Sequence, residues 1–195
     1  MSPLDAIQEL IRARRTVKPP LFSAERIDDA VIEELLEAAN WAPTHGKTEP
    51  WRFKVYTDEG RKLLAETLGS LYTSTTAETD FKPAKLEKAT GNAMLSSHAI
   101  AVFAEVGINP KVPELEDIEA TACALQNLQL AARAQGIGSF WSTGPMTYLP
   151  EARAAFGVPD TWRYLGVIYL GIPKSKFPES RRGSVADKTD WIRST

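Results

Sequence analysis

Cysteine is nearly absent from this chain. A single one, Cys123, stands among 195 residues, so no disulfide can close within the chain. That scarcity favours a reducing compartment, and the cytoplasm is the expected location. Histidine is almost as rare, with His45 and His98 the only two. No group of His, Cys and carboxylate residues has metal-ligand spacing, so no metal is expected. Long apolar runs are missing as well: no stretch approaches the roughly 18 residues that a membrane span needs. The opening MSPLDAIQELIRARR carries charges where a signal peptide needs an apolar core. Nor is there an excess of positive charge. The formal net charge of −2 argues against a general nucleic-acid binder. No repeat, low-complexity tract or separating linker breaks the chain, and 1–195 reads as one domain. Its 43% apolar and 25% charged residues fit a globular protein.

Helix and strand patterns alternate along the chain. Leu4, Ile7, Leu10 and Ile11 recur at helical spacing, which predicts an amphipathic helix over 3–13 with Ser2-Pro3 at its start. Lys18-Pro19-Pro20 closes it. A second helix follows through Val31, Ile32, Leu35, Leu36 and Ala39, until Trp41-Ala42-Pro43 stops it. Residues 51–56 alternate apolar and polar, as a half-covered strand does. A helix is expected over 59–69. Residues 70–93 are polar and without clear period, and read as a mobile insertion or a lid of short helices. The run 98–105 predicts a central strand, 110–116 a loop, and 117–134 a long helix rich in Ala, Leu and Gln. That helix is apolar enough to be buried on most sides, with Cys123 as a small buried residue. Gly136 is expected as its C-cap, and Gly138 as part of a tight turn into a strand. A short helix over 150–156 and a buried strand over 162–171 complete the set. The class is α+β, with helices layered on a sheet.

Two segments carry chemistry. Arg14-Arg15-Thr16 places two guanidinium groups and a hydroxyl where the first helix ends. Arginine is well shaped for bidentate contact with phosphate or a planar polar edge. The pair could equally be the solvated end of a basic helix. The second segment, Trp41-Ala42-Pro43-Thr44-His45, leads to Pro50-Trp51-Arg52-Phe53. A dicationic corner and an aromatic-walled loop suit a ligand anionic at one end and flat at the other, such as flavin mononucleotide (FMN). His98, beginning an apolar run, reads as a satisfied core histidine. Gly136-Ile137-Gly138-Ser139 is no dinucleotide fingerprint, because it follows a helix and precedes a strand.

The ordered set RRT, A-P-x6-P-W-x-F and A-x3-G-I-G-S-x-W resembles the FMN-dependent nitroreductase family over nearly the whole chain. The histidine within APTHGKTEPWRF makes it similar to the short YdjA-like branch. The resemblance implies a homodimer with a mostly antiparallel central sheet flanked by helices and FMN at the subunit interface. It implies that Arg14, Arg15 and Thr16 hold the FMN phosphate and pyrimidine edge. Trp41 and His45 would contact FMN from the opposite subunit. Trp141, Ser142 and Thr143 would lie near the ring, and Arg181 or Arg182 would reach the phosphate, although some short members lack that late pair. Ala131, Ala132, Arg133, Ala134, Gln135 and Gly136 would receive the nicotinamide nucleotide.

The activity so implied is transfer of a hydride from NADH or NADPH, through flavin N5, to a small oxidised acceptor such as a nitroaromatic or quinone. Turnover would be ping-pong, with no catalytic side chain beyond the flavin. Leu71, Tyr72 and Phe81 are the expected substrate contacts. The same resemblance admits a specialised relative, such as an enoyl reductase or reductive dehalogenase. A flavin carrier or redox sensor with negligible turnover is the reading from another class.

Overall fold

A computed structural model describes residues 2–193. The helices are α1 (Pro3–Ala13), α2 (Asp29–Asn40), α3 (Gly60–Thr75), α4 (Pro83–Met94), α5 (Glu114–Ala134) and α6 (Pro150–Phe156). The strands are β1 (Trp51–Tyr56), β2 (His98–Glu105), β3 (Gly138–Ser142) and β4 (Trp162–Gly171). They form one four-stranded sheet in the order β1-β2-β4-β3. All its pairings are antiparallel, so the expected α+β class and flanked antiparallel sheet hold.

Side-chain alternation along β2 divides the core. Ile100, Val102 and Ala104 face one way and pack with Leu35 of α2 and Leu125 and Leu128 of α5. Ala99, Ala101 and Phe103 face the other way and pack with Leu64 and Leu68 of α3 and Phe156 of α6. Each fully buried Leu, Ile or Phe stabilises the fold by roughly 1.5–3 kcal/mol. His98 is fully buried among them. Its Nε2 lies 2.7 Å from Asp29 Oδ1, and its Nδ1 3.0 Å from Ser97 Oγ. The ring thus ties the start of β2 to the start of α2, the satisfied core role expected of it.

Some expectations need correction. The helix expected over 117–134 begins at Glu114, because Pro113 precedes it and Glu114, Glu116 and Asp117 supply first-turn acids. Ala120, Ala124, Leu128 and Ala132 face inward, while within one chain Leu115 and Cys123, the latter expected to be buried, are exposed. Residues 70–93 are chiefly helical, in keeping with the short-helix alternative. α3 runs on to Thr75, and α4 packs against it at Gly69, where an added Cβ would meet Thr90 at 3.0 Å. Gly138 owes its identity to packing, not to a turn: a Cβ there would meet Phe22 at 2.9 Å and Val17 at 3.0 Å. Gly136 does cap α5 in the left-handed region, at φ +75°.

The sheet has one irregularity that shapes everything beside it. Pairing of β2 with β4 shifts between Val102, opposite Gly166, and Phe103, opposite Tyr164. This is a β-bulge. Gly166 adopts φ +108°, and an added Cβ would lie 2.4 Å from the Ser142 carbonyl oxygen. The Leu165 carbonyl accepts a hydrogen bond from the Trp141 indole at 2.8 Å. Gly166→Ala should therefore lower stability by more than about 2 kcal/mol, since backbone strain and a backbone clash coincide. Thermal unfolding measures it; a loss within about 0.5 kcal/mol, the range of surface substitutions, would show that the bulge adapts.

Candidate functional site

The end of α1 builds the first part of the site. Arg15 turns back on its own helix, donating from Nη1 to the carbonyls of Arg12 and, at 2.7 Å, of Arg14. It satisfies carbonyls that the last turn leaves open. Arg14 makes no side-chain hydrogen bond among the described residues, and the Nε atoms of both arginines are buried without a partner. Burial is the largest influence lowering the Arg14 pKa, followed by the charges of Arg182 and Arg15. Three cations thus stand together, and no carboxylate offsets their effect on Arg14. A buried donor without an acceptor is costly. An anion seated there would repair both the missing bonds and the repulsion. This fits the phosphate of FMN, and it brings Arg182 of the C-terminal tail to the same corner. Arg181 is exposed.

Thr16 then joins the sheet. It bridges Ser139 of β3, and the Val17 amide donates to the Ser139 carbonyl at 3.0 Å. The corner therefore sits on the β3 edge. From Ser139 to Ser142, the strand leads about 10 Å to a cleft.

That cleft has a volume of about 510 Å³. Ser142, Thr143 and Gly144 line one side, with Met146 and Thr147 from the turn beyond. α3 and α4 form the other wall through Leu68, Leu71, Tyr72, Thr75, Lys85, Lys88 and Asn92. Tyr164, Val167 and Tyr169 of β4 make the floor. Burial raises the pKa of Tyr169 and that of Tyr164, the latter with contributions from the charges of Tyr169 and Tyr56. Both phenols therefore stay protonated well into alkaline solution. Of the expected substrate residues, Leu71 and Tyr72 line the cleft. Phe81 does not; it packs beside Tyr72 with ring centroids 5.4 Å apart. The Tyr72 hydroxyl is engaged by the Lys82 amide at 2.9 Å.

Trp141 alternates away from Ser142. It packs on the α5 side of the sheet, where its indole caps the bulge. The segment 131–136 is likewise occupied with structure. Ala131 and Ala132 pack in the core on the α5 side, and Ala134 belongs to the same closing turn. Arg133 donates to the Ala13 carbonyl at 3.1 Å and covers the Phe177 ring at 4.1 Å. Gln135 donates to Glu34 at 3.0 Å, and Gly136 ends the helix. None of the six lines the cleft.

The loop between α2 and β1 stands apart. Trp41 is 80% exposed, and its indole donates to Glu37 at 2.9 Å. Gly46, Lys47 and Glu49 all have positive φ, which is costly for the two non-glycine residues. Side chains over-determine this path. His45 Nδ1 lies 2.5 Å from Glu116 Oε2. The Thr48 hydroxyl donates to Asp117 Oδ1 at 2.9 Å, and Trp51 Nε1 donates to Asn40 at 3.0 Å. Thr48, Glu116 and Asp117 drew no notice in the sequence. Their roles depend on a loop meeting a helix start far along the chain, which no local pattern announces.

β1 and β3 are opposite edges of the sheet. The His45 loop leads into β1, whereas the arginine corner lies along β3. Three strand spacings, about 14 Å, separate those edges.

The nitroreductase family model matches residues 11–172. The chain is 32% identical over 193 residues to YdjA of Escherichia coli (strain K12), provisionally named an NAD(P)H nitroreductase, covering 97% of this chain and 98% of that one. A nitroreductase-like family protein from Bacillus cereus superposes with a TM-score of 0.86 at 26% identity, over the full length of both chains. A provisionally named nitroreductase from Desulfovibrio desulfuricans, solved with FMN, superposes with a TM-score of 0.75 at 23% identity, over 100% of this chain and 99% of that one. Among the described residues, no helix is long and apolar enough to cross a membrane, and no His, Cys, Asp and Glu group could hold a metal ion.

An anion should bind the arginine corner. Inorganic phosphate is expected to raise the melting temperature above that in chloride of equal ionic strength, because a ligand of the folded state stabilises it. Arg14→Ala should remove most of that gain. Lys62→Ala, which touches a surface pair with Glu59, should keep it. An equal phosphate effect in all three proteins would mean general salt stabilisation.

Proposed function

Because the chain belongs to the nitroreductase family, we propose that it is an FMN-dependent oxidoreductase. It would pass reducing equivalents from NADH or NADPH to a small oxidised acceptor such as a nitroaromatic or a quinone. The observation that carries this reading is the unpartnered, partly buried Arg14 guanidinium crowded by Arg182 and Arg15, on the same strand edge as the cleft. Arg14, with Arg182 beside it, would hold the phosphate. The Thr16 hydroxyl would assist, and Arg15 would contribute charge while capping α1. When bound, FMN supplies the two-electron chemistry. Ser142, Thr143 and Gly144 would position the flat ring at the cleft. The cationic corner would favour added negative charge on the bound group. The α3–α4 hairpin would act as a lid, with Leu71 and Tyr72 against the acceptor.

The functional unit would be a homodimer, with each protomer one domain. Leu4, Ile7 and Ile11 form an exposed apolar face of α1, a helix with no buried residue of its own. Leu115 of α5 and Val185, Trp191 and Ile192 of the tail are exposed too. A second copy covering these would remove apolar area from water. Two chains are also what would bring a His45 loop to an arginine corner, since one chain holds them at opposite sheet edges. His45 and Trp41 would then reach FMN bound by the partner. The single cysteine supports a cytoplasmic setting.

The protein should purify yellow with about one FMN per subunit, as a single corner of arginines would dictate. Anaerobic NADH or NADPH should bleach it, and an oxidised acceptor should restore the colour. Released FAD, or no uptake of FMN, would sink this reading. The shared site has its own check. Heterodimers of an Arg14→Ala subunit and a His45→Ala subunit carry both lesions in one site and neither in the other. Up to half of their sites should bind FMN normally. Impairment of every site would show that each chain builds its own.

A further inference from the structure

The floor of the cleft holds phenols that no other part of the chain uses. Tyr164 and Tyr169 are only 7% and 2% exposed. Both line the cleft, yet neither hydroxyl makes a hydrogen bond among the described residues. Tyr72 differs, because its hydroxyl is engaged by Lys82. The rings are buried, but neither oxygen is a buried atom lacking a partner, so both hydroxyls open into the cleft with their donors free. They share the cleft face of β4, with Val167 between them.

Their meeting is the work of the bulge. In a regular strand, residue 165 would share a face with Val167 and Tyr169, and Tyr164 would point to the α5 side. The bulge reverses this. Leu165 packs in the α5-side core, and Tyr164 joins Val167 and Tyr169 on the cleft side. The rings are then fixed by packing: Tyr164 lies 4.7 Å from Phe156 and 5.4 Å from Phe103 between centroids, and Tyr169 lies 6.1 Å from Phe140. Around them the lining is apolar or neutral, with Leu68, Leu71 and Val167. The charged lining residues Lys85, Lys88 and Asp80 are exposed, at the mouth.

We propose that Tyr164 and Tyr169 form a neutral donor pair that holds an oxygen of a flat ligand, a ring carbonyl or a nitro group, at the floor of the cleft. Apolar walls accept the body of such a ligand, and uncharged donors match an oxygen that carries only partial charge. Because burial keeps both phenols protonated, they remain donors throughout the neutral range. Two sources offer that oxygen: a carbonyl of the flavin ring, which rests on the FMN reading, and the oxidised acceptor, which does not.

The test removes one oxygen at a time and leaves the ring packing intact. Tyr164→Phe, Tyr169→Phe and the double variant are first matched to the wild type by circular dichroism and melting temperature. Apo-protein is titrated with FMN by fluorescence. Protein with and without FMN is titrated calorimetrically with nitrobenzene, and with toluene, which has no oxygen. Each lost phenol should weaken one of the oxygen-bearing ligands about threefold to tenfold, while toluene binds no more weakly. Loss in the FMN titration assigns the pair to the flavin, and loss with nitrobenzene assigns it to the acceptor. Wild-type protein that takes up no FMN but shows the nitrobenzene difference would overturn the flavin reading and uphold the donor pair. A double variant that binds both FMN and nitrobenzene as the wild type does would overturn the donor pair.

Discussion

The close approach of the Ser142 carbonyl to Gly166 is the constraint on which the site depends. No side chain fits between them, so β3 can lie flush against the bulge in β4. That contact fixes where β3 ends, and hence where Ser142, Thr143 and Gly144 meet the cleft. The bulge frees the Leu165 carbonyl, and the Trp141 indole satisfies it. It also hands one position of β4 from one core to the other. A single irregular step therefore sets the cleft wall, its floor and the tryptophan that braces it.

The second organising fact is the placement of charge and loop at the two edges of one sheet. The arginine corner belongs to β3 because Thr16 bridges Ser139. The His45 loop belongs to β1 and is pinned to the start of α5 through Glu116 and Asp117. Asp117 is buried, with Oδ2 lacking a partner, an expense that the first turn of a long helix partly offsets. In the proposed dimer, each chain would present one half of the site on either side of itself, and a symmetric pair would complete both halves at once.

Much of the fold was legible in the sequence, and the reasons are local. The limits of α1, β1, β2, α6 and β4 follow from side-chain period and from proline and glycine at the ends. The start of α3 was legible, but its run to Thr75 and the limits of α4 were not, because α3 packs on α4, the sheet-side core and the cleft together, and so shows no single apolar face. At the site, the charge of Arg14 and Arg15 stood out, but their division of labour did not. Only geometry shows Arg15 spent on carbonyls and Arg14 left free. Tyr164 and Tyr169 are spaced for opposite faces of a strand. The one hint that they share a face was Gly166, a glycine inside a strand pattern. Trp141 and the 131–136 segment carried no local sign that packing and capping already occupy them.

Phe22 rests on Gly171 so closely that a methyl group there would overlap it, and Val17 lies over Gly138. The segment that carries the arginine corner lies far in sequence from the strands on which it settles. Long-range pairing of this kind comes late in folding, after the cost of closing the intervening loop has been met. The grip on an anion is therefore a product of tertiary contact and belongs to no local element.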